Sequence, residues 1–179
     1  MQWLKLTALI SMAIAAPAAD LQIPVEAYKL DNGMRIILSR DTSAPVVSVY
    51  MLYGVGARSE TKGRTGFAHL FEHMMFQGSK NAPKGTMDKM IASAGGYLNG
   101  STHYDYTDYY EVIPSNKLPV ALWLEADRMR GLDITAENLT NQKEAVKQER
   151  RMRLDNQPYA TAIVDLWYEV AFENWANSH

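Results

Sequence analysis

Cysteine is absent from the 179 residues. Its absence excludes disulfides, thiolate metal sites, a cysteine nucleophile and lipid attachment through an N-terminal cysteine. Excess positive charge is missing too. Eighteen Lys and Arg stand against twenty Asp and Glu, giving a net charge of −2, so the concentrated basic surface of a nucleic-acid binder is lacking and no nucleic-acid partner is expected. No apolar run approaches the roughly 20 residues that a membrane span requires, so no stable span is expected. Repeats, linkers and low-complexity stretches are also lacking. Histidine is scarce, with four in the chain. What remains is an ordinary globular balance, 47% hydrophobic and 21% charged, enough apolar material for a core within one domain.

The N-terminus reads as a processed leader. Lys5 precedes an apolar run from Leu6 to Ala16, and Ala16 and Ala18 form an A-x-A arrangement. This is the pattern of a secretory signal peptide over residues 1–19. The protein is then expected to be exported, to the periplasm if the source is a bacterium and otherwise to the exterior. Residues 20–179 form the mature domain.

Along that domain, Val25–Leu30 and Met34–Ser39 are β-like runs joined by Asp31-Asn32-Gly33, a hairpin signal. Val46–Leu52 is a third strand, followed by a polar loop from Ala57 to Arg64. A helix is expected over Gly66–Phe76, with Thr65 as its cap and Gly78 past its end. Thr86–Ala94 is a second helix, stopped by Gly95-Gly96. Tyr97–Thr102 and Thr107–Ile113 are strands. Pro114-Ser115 opens a helix to Arg130, Thr135 caps one running to Leu154, and a last helix covers Ala160–Phe172. Strands, helices, strands and helices in that order favour an α+β two-layer sandwich, a largely antiparallel sheet backed by helices.

Two of the four histidines fall in His69-Leu70-Phe71-Glu72-His73. On a helix, residues three and four apart share a face. His69 and His73 then present imidazoles one turn apart, with Glu72 flanking them, while Leu70 and Phe71 point elsewhere and can enter the core. Two neutral imidazoles are half of a tetrahedral zinc site, and an adjacent carboxylate can take a proton from metal-bound water. Random placement of four His and ten Glu gives roughly 0.005 such pentads in a chain of this length. A catalytic zinc needs a third protein ligand. His103 remains available, His179 at the chain end is expected to be mobile, and Asp and Glu are too numerous to choose among.

Gly66-x-x-His69-x-x-Glu72-His73-Met74-x-Phe76-x-Gly78 resembles the inverted zinc motif of the pitrilysin/insulinase-type metallopeptidases, a family that includes the mitochondrial processing peptidases and bacterial relatives. The resemblance implies a third ligand on a helix about 75 residues downstream. Val146-Lys147-Gln148-Glu149-Arg150-Arg151 places Glu149 there, 76 positions after His73. Taken without the family, Glu149 reads as a solvated helix residue among Lys147, Arg150, Arg151 and Arg153. A third block, Gly95-Gly96-x-x-Asn99-Gly100-x-Thr102-x-x-Asp105-x-Thr107-x-Tyr109, resembles the strand pair beside the active site, whose edge strand receives the substrate backbone. Gly100 stands where the family more often has Ala, and a glycine is expected to loosen that edge. Taken as a whole, the resemblance covers about residues 22–175.

The resemblance implies a zinc endopeptidase domain. His69, His73 and Glu149 would hold one zinc ion, Glu72 would act as general base, and Asn99, Gly100 and Thr102 would bind an extended peptide or unfolded polypeptide. The family closes its chamber from two or more such domains, so a second homologous domain or subunit is implied, and the chain reads as an N-terminal fragment ending before the domain is complete. Support for Glu149 from within its own helix is left open between Gln142, seven residues before it, and Glu144. Three rivals stand. S-ribosylhomocysteine lyase carries the same pentad but uses cysteine as ligand and catalyst. The others are a non-catalytic or partner-dependent subunit and a metal-binding module without catalysis.

Overall fold

The computed structural model describes residues 22–179; the leader expected at residues 1–19 lies outside them. Two units are formed, divided between Ala44 and Pro45. The described part of the first is a hairpin of β1 (Glu26–Lys29) and β2 (Arg35–Leu38), antiparallel with Glu26 opposite Leu38 and Lys29 opposite Arg35. Gly33 turns the chain at φ 91°, and the Asn32 side chain accepts from the Met34 N–H. Both strands are shorter than the sequence runs that predict them.

The second unit holds β3 (Val46–Tyr53), α1 (Phe67–Met74), α2 (Thr86–Ser93), β4 (Tyr97–Thr102), β5 (Thr107–Pro114), α3 (Leu118–Gly131), α4 (Ala136–Arg150) and α5 (Trp167–Ala171). Strands β3, β5 and β4 form an antiparallel sheet in that order. β5 is central, and its inward residues Thr107, Tyr109, Glu111 and Ile113 are all buried. Helix α3 lies on β3 and β5, α2 lies on β4, and α1 is held between β4 and α4. Val49, Ala82, Ile91, Ile113, Ala121 and Leu124 make the apolar core. The expected α+β layering of antiparallel strands and helices is the observed architecture.

Beside that core lies a polar cluster. The inner face of α3 carries Ala121, Leu124, Glu125 and Arg128 at helical spacing. Arg128 donates from Nε and Nη2 to the two Glu125 oxygens, stacks 4.4 Å over the Tyr109 ring, and stands 3.8 Å from Glu111. One arginine thus faces two buried carboxyls. Burial, followed by the hydrogen bond and charge of Glu125, pushes the Glu111 carboxyl up to about 9.

The later helices depart from expectation. α4 ends at Arg150 and gives way to a π-helical turn over Arg151–Asp155, rather than continuing as α-helix to Leu154. The last helical stretch begins at Ala160 as expected but is interrupted by a second π-turn, Ala162–Leu166, before α5.

Candidate metal centre

α1 is fixed at its start by a side chain from the preceding loop. Both Glu60 carboxylate oxygens accept from its first free amides, Gly66 N at 2.8 Å and Ala68 N at 2.7 Å. The cap position is Gly66 at φ 84°, with no side-chain cap of its own. The expected Thr65 cap is therefore replaced by Glu60, whose charge also suits a helix N-terminus. Ala68, Leu70 and Met74 anchor the helix in the core. Phe71 does not join them: it is 52% exposed and lines an apolar cleft with Phe67 and Met75.

With α1 so held, His69 and His73 project from one face, ring centroids 4.8 Å apart. α4 runs past that face. Its Thr135 cap accepts from Asn138 N as expected, and Gln142 and Glu149, two turns apart, reach toward α1. Glu149 Oε2 lies 3.4 Å from His69 Nε2 and 3.2 Å from His73 Nε2. Glu149 is mostly buried rather than a solvated member of the surrounding charge run. Its other oxygen, Oε1, accepts from Arg153 Nη1 at 2.8 Å. Gln142 Oε1 meets His73 Nδ1 at 3.2 Å, so of the two residues left open by the sequence Gln142 reaches the site, through His73 rather than Glu149. Glu144 instead pairs with Lys147.

Two imidazole nitrogens and one carboxylate oxygen are a zinc donor set. Metal–ligand bonds of about 2.0 Å in tetrahedral array put donors roughly 3.3 Å apart, and the two His–Glu distances fall there. Among the described residues these three are the only group of His, Cys, Asp and Glu able to hold a metal ion, their ligand atoms all within 4.8 Å of one another. The other histidines lie elsewhere. His103 stacks on Tyr106 and meets Ser101 Oγ at 3.0 Å. His179 is not a loose end: its ring stacks on Trp175 at 4.1 Å and a ring nitrogen lies 2.8 Å from Ala57 O.

A cleft of about 990 Å³ opens over the three residues. Glu72, Asn99, Gly100 and Thr102 all line it. β4 forms one wall and pairs with β5 alone among the described strands, leaving its outer edge open. Asn99 Oδ1 accepts from Gly100 N. Gly100 is fitted rather than loose: a Cβ there would stand 2.9 Å from the Tyr109 ring and 3.1 Å from Asp108 O. Thr102 Oγ1 donates to Glu72 Oε2 at 2.5 Å.

Comparison with known proteins gives a consistent picture. Residues 35–175 match the family described as Insulinase (Peptidase family M16). Zinc protease PqqE of Helicobacter pylori is 35% identical over 134 residues, 74% of this chain and 30% of that protein. Human cytochrome b-c1 complex subunit 1, mitochondrial, is 30% identical over 146 residues, 82% of this chain and again 30% of the relative. The crystal structure of a protease from Helicobacter pylori superposes with a TM-score of 0.74 at 33% identity, covering 78% of this chain and 34% of that one. The chain thus spans about a third of the length of these relatives.

Proposed function

Because the chain belongs to the insulinase-type peptidase family M16, we propose that it is the metal-bearing domain of a zinc-dependent endopeptidase acting on peptides or unfolded polypeptides. The convergence of His69, His73 and Glu149, reached from helices 60 or more residues apart in sequence, carries this reading. When bound, zinc supplies Lewis acidity that activates water and polarises a carbonyl. His69 and His73 Nε2 and Glu149 Oε2 would hold it, and Gln142 Oε1, by accepting from His73 Nδ1–H, would leave Nε2 free for the metal. The peptide lies extended along the open edge of β4. Its backbone meets the Asn99–Thr102 segment, which brings the scissile bond beside Glu72. Glu72 accepts the water proton and returns it to the leaving amine.

Elemental analysis of the mature chain is the test. One zinc per chain is expected, lost in His73→Ala and weakened in Glu149→Gln. Glu72→Gln should keep the metal and abolish cleavage. A folded chain that binds no stoichiometric metal overturns the reading.

A second reading, a domain that binds metal but works only with further polypeptide, is favoured by one surface. Tyr159, Ile163, Trp167 and Val170 follow one another at helical spacing, and Trp167 and Val170 are 65% and 83% exposed. Robust proteolysis by the purified 179-residue chain would remove it. The leader-like N-terminus supports export, and among the described residues no helix is long and apolar enough to cross a membrane.

A further inference from the structure

We propose that Thr102 is a positioning residue for the base Glu72 and that its side chain is not a contact for the peptide. The inference rests on Glu72 acting as the base. The two residues come from different elements, thirty positions apart, and meet at 2.5 Å with the hydroxyl donating to Glu72 Oε2. A charge-assisted hydrogen bond of this kind is stronger than a neutral one and fixes the carboxylate's rotation about its last side-chain bond. The hydroxyl's single proton is thereby committed to Glu72 and is not free to donate to a peptide carbonyl.

The strand under Thr102 is itself rigid. Thr102 is paired with Thr107 at the end of the β4–β5 ladder, and the Thr107 hydroxyl donates to Val55 O at 2.9 Å. Three segments, β4, β5 and the loop after β3, are tied together where the carboxylate is held. Alternation along β4 separates the roles. Gly100 and Thr102 point to the α1 side, Gly100 against Tyr109 and Phe76 and Thr102 to Glu72. Asn99 and Ser101 point to the other face. Strand addition uses the backbone of β4, so Thr102 can offer its main chain to the peptide while its side chain is engaged with the base. One residue then couples peptide docking to the aim of the carboxylate.

The test is the affinity of a phosphinic peptide, a stable mimic of the tetrahedral adduct, for the zinc-loaded chain by calorimetry. Thr102→Val keeps the shape and removes the hydroxyl; affinity should fall about tenfold with zinc content unchanged. Thr102→Ser, which keeps the hydroxyl, should restore it to within about threefold. In a Glu72→Gln background, Thr102→Val should cost nothing further, because its effect passes through the carboxylate. An unchanged affinity in Thr102→Val, or a full loss that persists in the Glu72→Gln background, overturns the positioning role and leaves the peptidase reading standing. Failure of the zinc-loaded wild-type chain to bind the phosphinic peptide overturns both.

Discussion

Two side chains of α4 approach the histidine pair: Glu149 Oε2 stands within 3.4 Å of each Nε2, and Gln142 Oε1 stands 3.2 Å from His73 Nδ1. His69, Glu72 and His73 stand out because few arrangements place two imidazoles and a carboxylate on one helix face. Glu149 needed the family motif, since by composition it belongs to a charged run. Gln142 and Glu144 were left open by the sequence, although Gln142 lies two full turns before Glu149, so that both face the same neighbour. The Gln142 side chain is buried on an otherwise polar helix and meets His73 Nδ1 at 3.2 Å. Partners of metal-ligating histidines tune affinity by roughly 10–100-fold. Gln142→Leu, which keeps the bulk and removes the acceptor, is therefore expected to weaken zinc binding by about tenfold. Competition against a chromogenic chelator measures it, and an unchanged affinity would mean that the 3.2 Å contact does not support the histidine.

At the scale of elements, the strands and the first two helices were readable from period and punctuation, β4 at both of its ends, while the capping of α1 and the course of the chain after α4 were not. Thr65 has the right chemistry for a cap, yet the first free amides of α1 are taken by Glu60 from six and eight residues upstream, a long-range choice that local sequence does not encode. The π-turns after α4 are equally invisible to a 3.6-residue period, and the first of them contributes Met152 and Arg153 to the cleft wall. The Glu60 cap yields a prediction. Glu60→Ala leaves two amides of α1 unsatisfied and removes a negative charge from its N-terminus. It should cost about 1–2 kcal/mol, read as a lower midpoint in denaturant at unchanged slope. Because α1 carries both histidines, zinc affinity should weaken in parallel. Thr65→Ala should move neither quantity, in contrast to the local reading.

For the molecule as a whole, the least expected feature is the charge inside it. Period 2 on β5 sets Glu111 inward with Tyr109 and Ile113, and period 3.6 on α3 sets Glu125 and Arg128 inward with Ala121 and Leu124. The sequence thus contained the placement, but the rule that buried positions are apolar argues against believing it. One Arg128 cannot neutralise two carboxylates, and both Glu111 oxygens lack a hydrogen-bond partner from it, so the fold favours a protonated Glu111. Its carboxyl moves from an ordinary 4.5 to about 9 on folding. The folded state then holds a proton that the unfolded state releases between those values, so stability falls as pH rises through that window. Opposing it, Asp127 is held below its usual value by Ser79 and Asn81, and its contribution is present above pH 3.8 and lost on acidification. Glu111→Gln keeps a neutral side chain of the same shape at every pH. Its thermal midpoint should change little between pH 6 and pH 9, while that of the wild type drops over the same range. Parallel curves for the two proteins would show that Glu111 is ionised in the fold and that Arg128 serves both carboxylates at once.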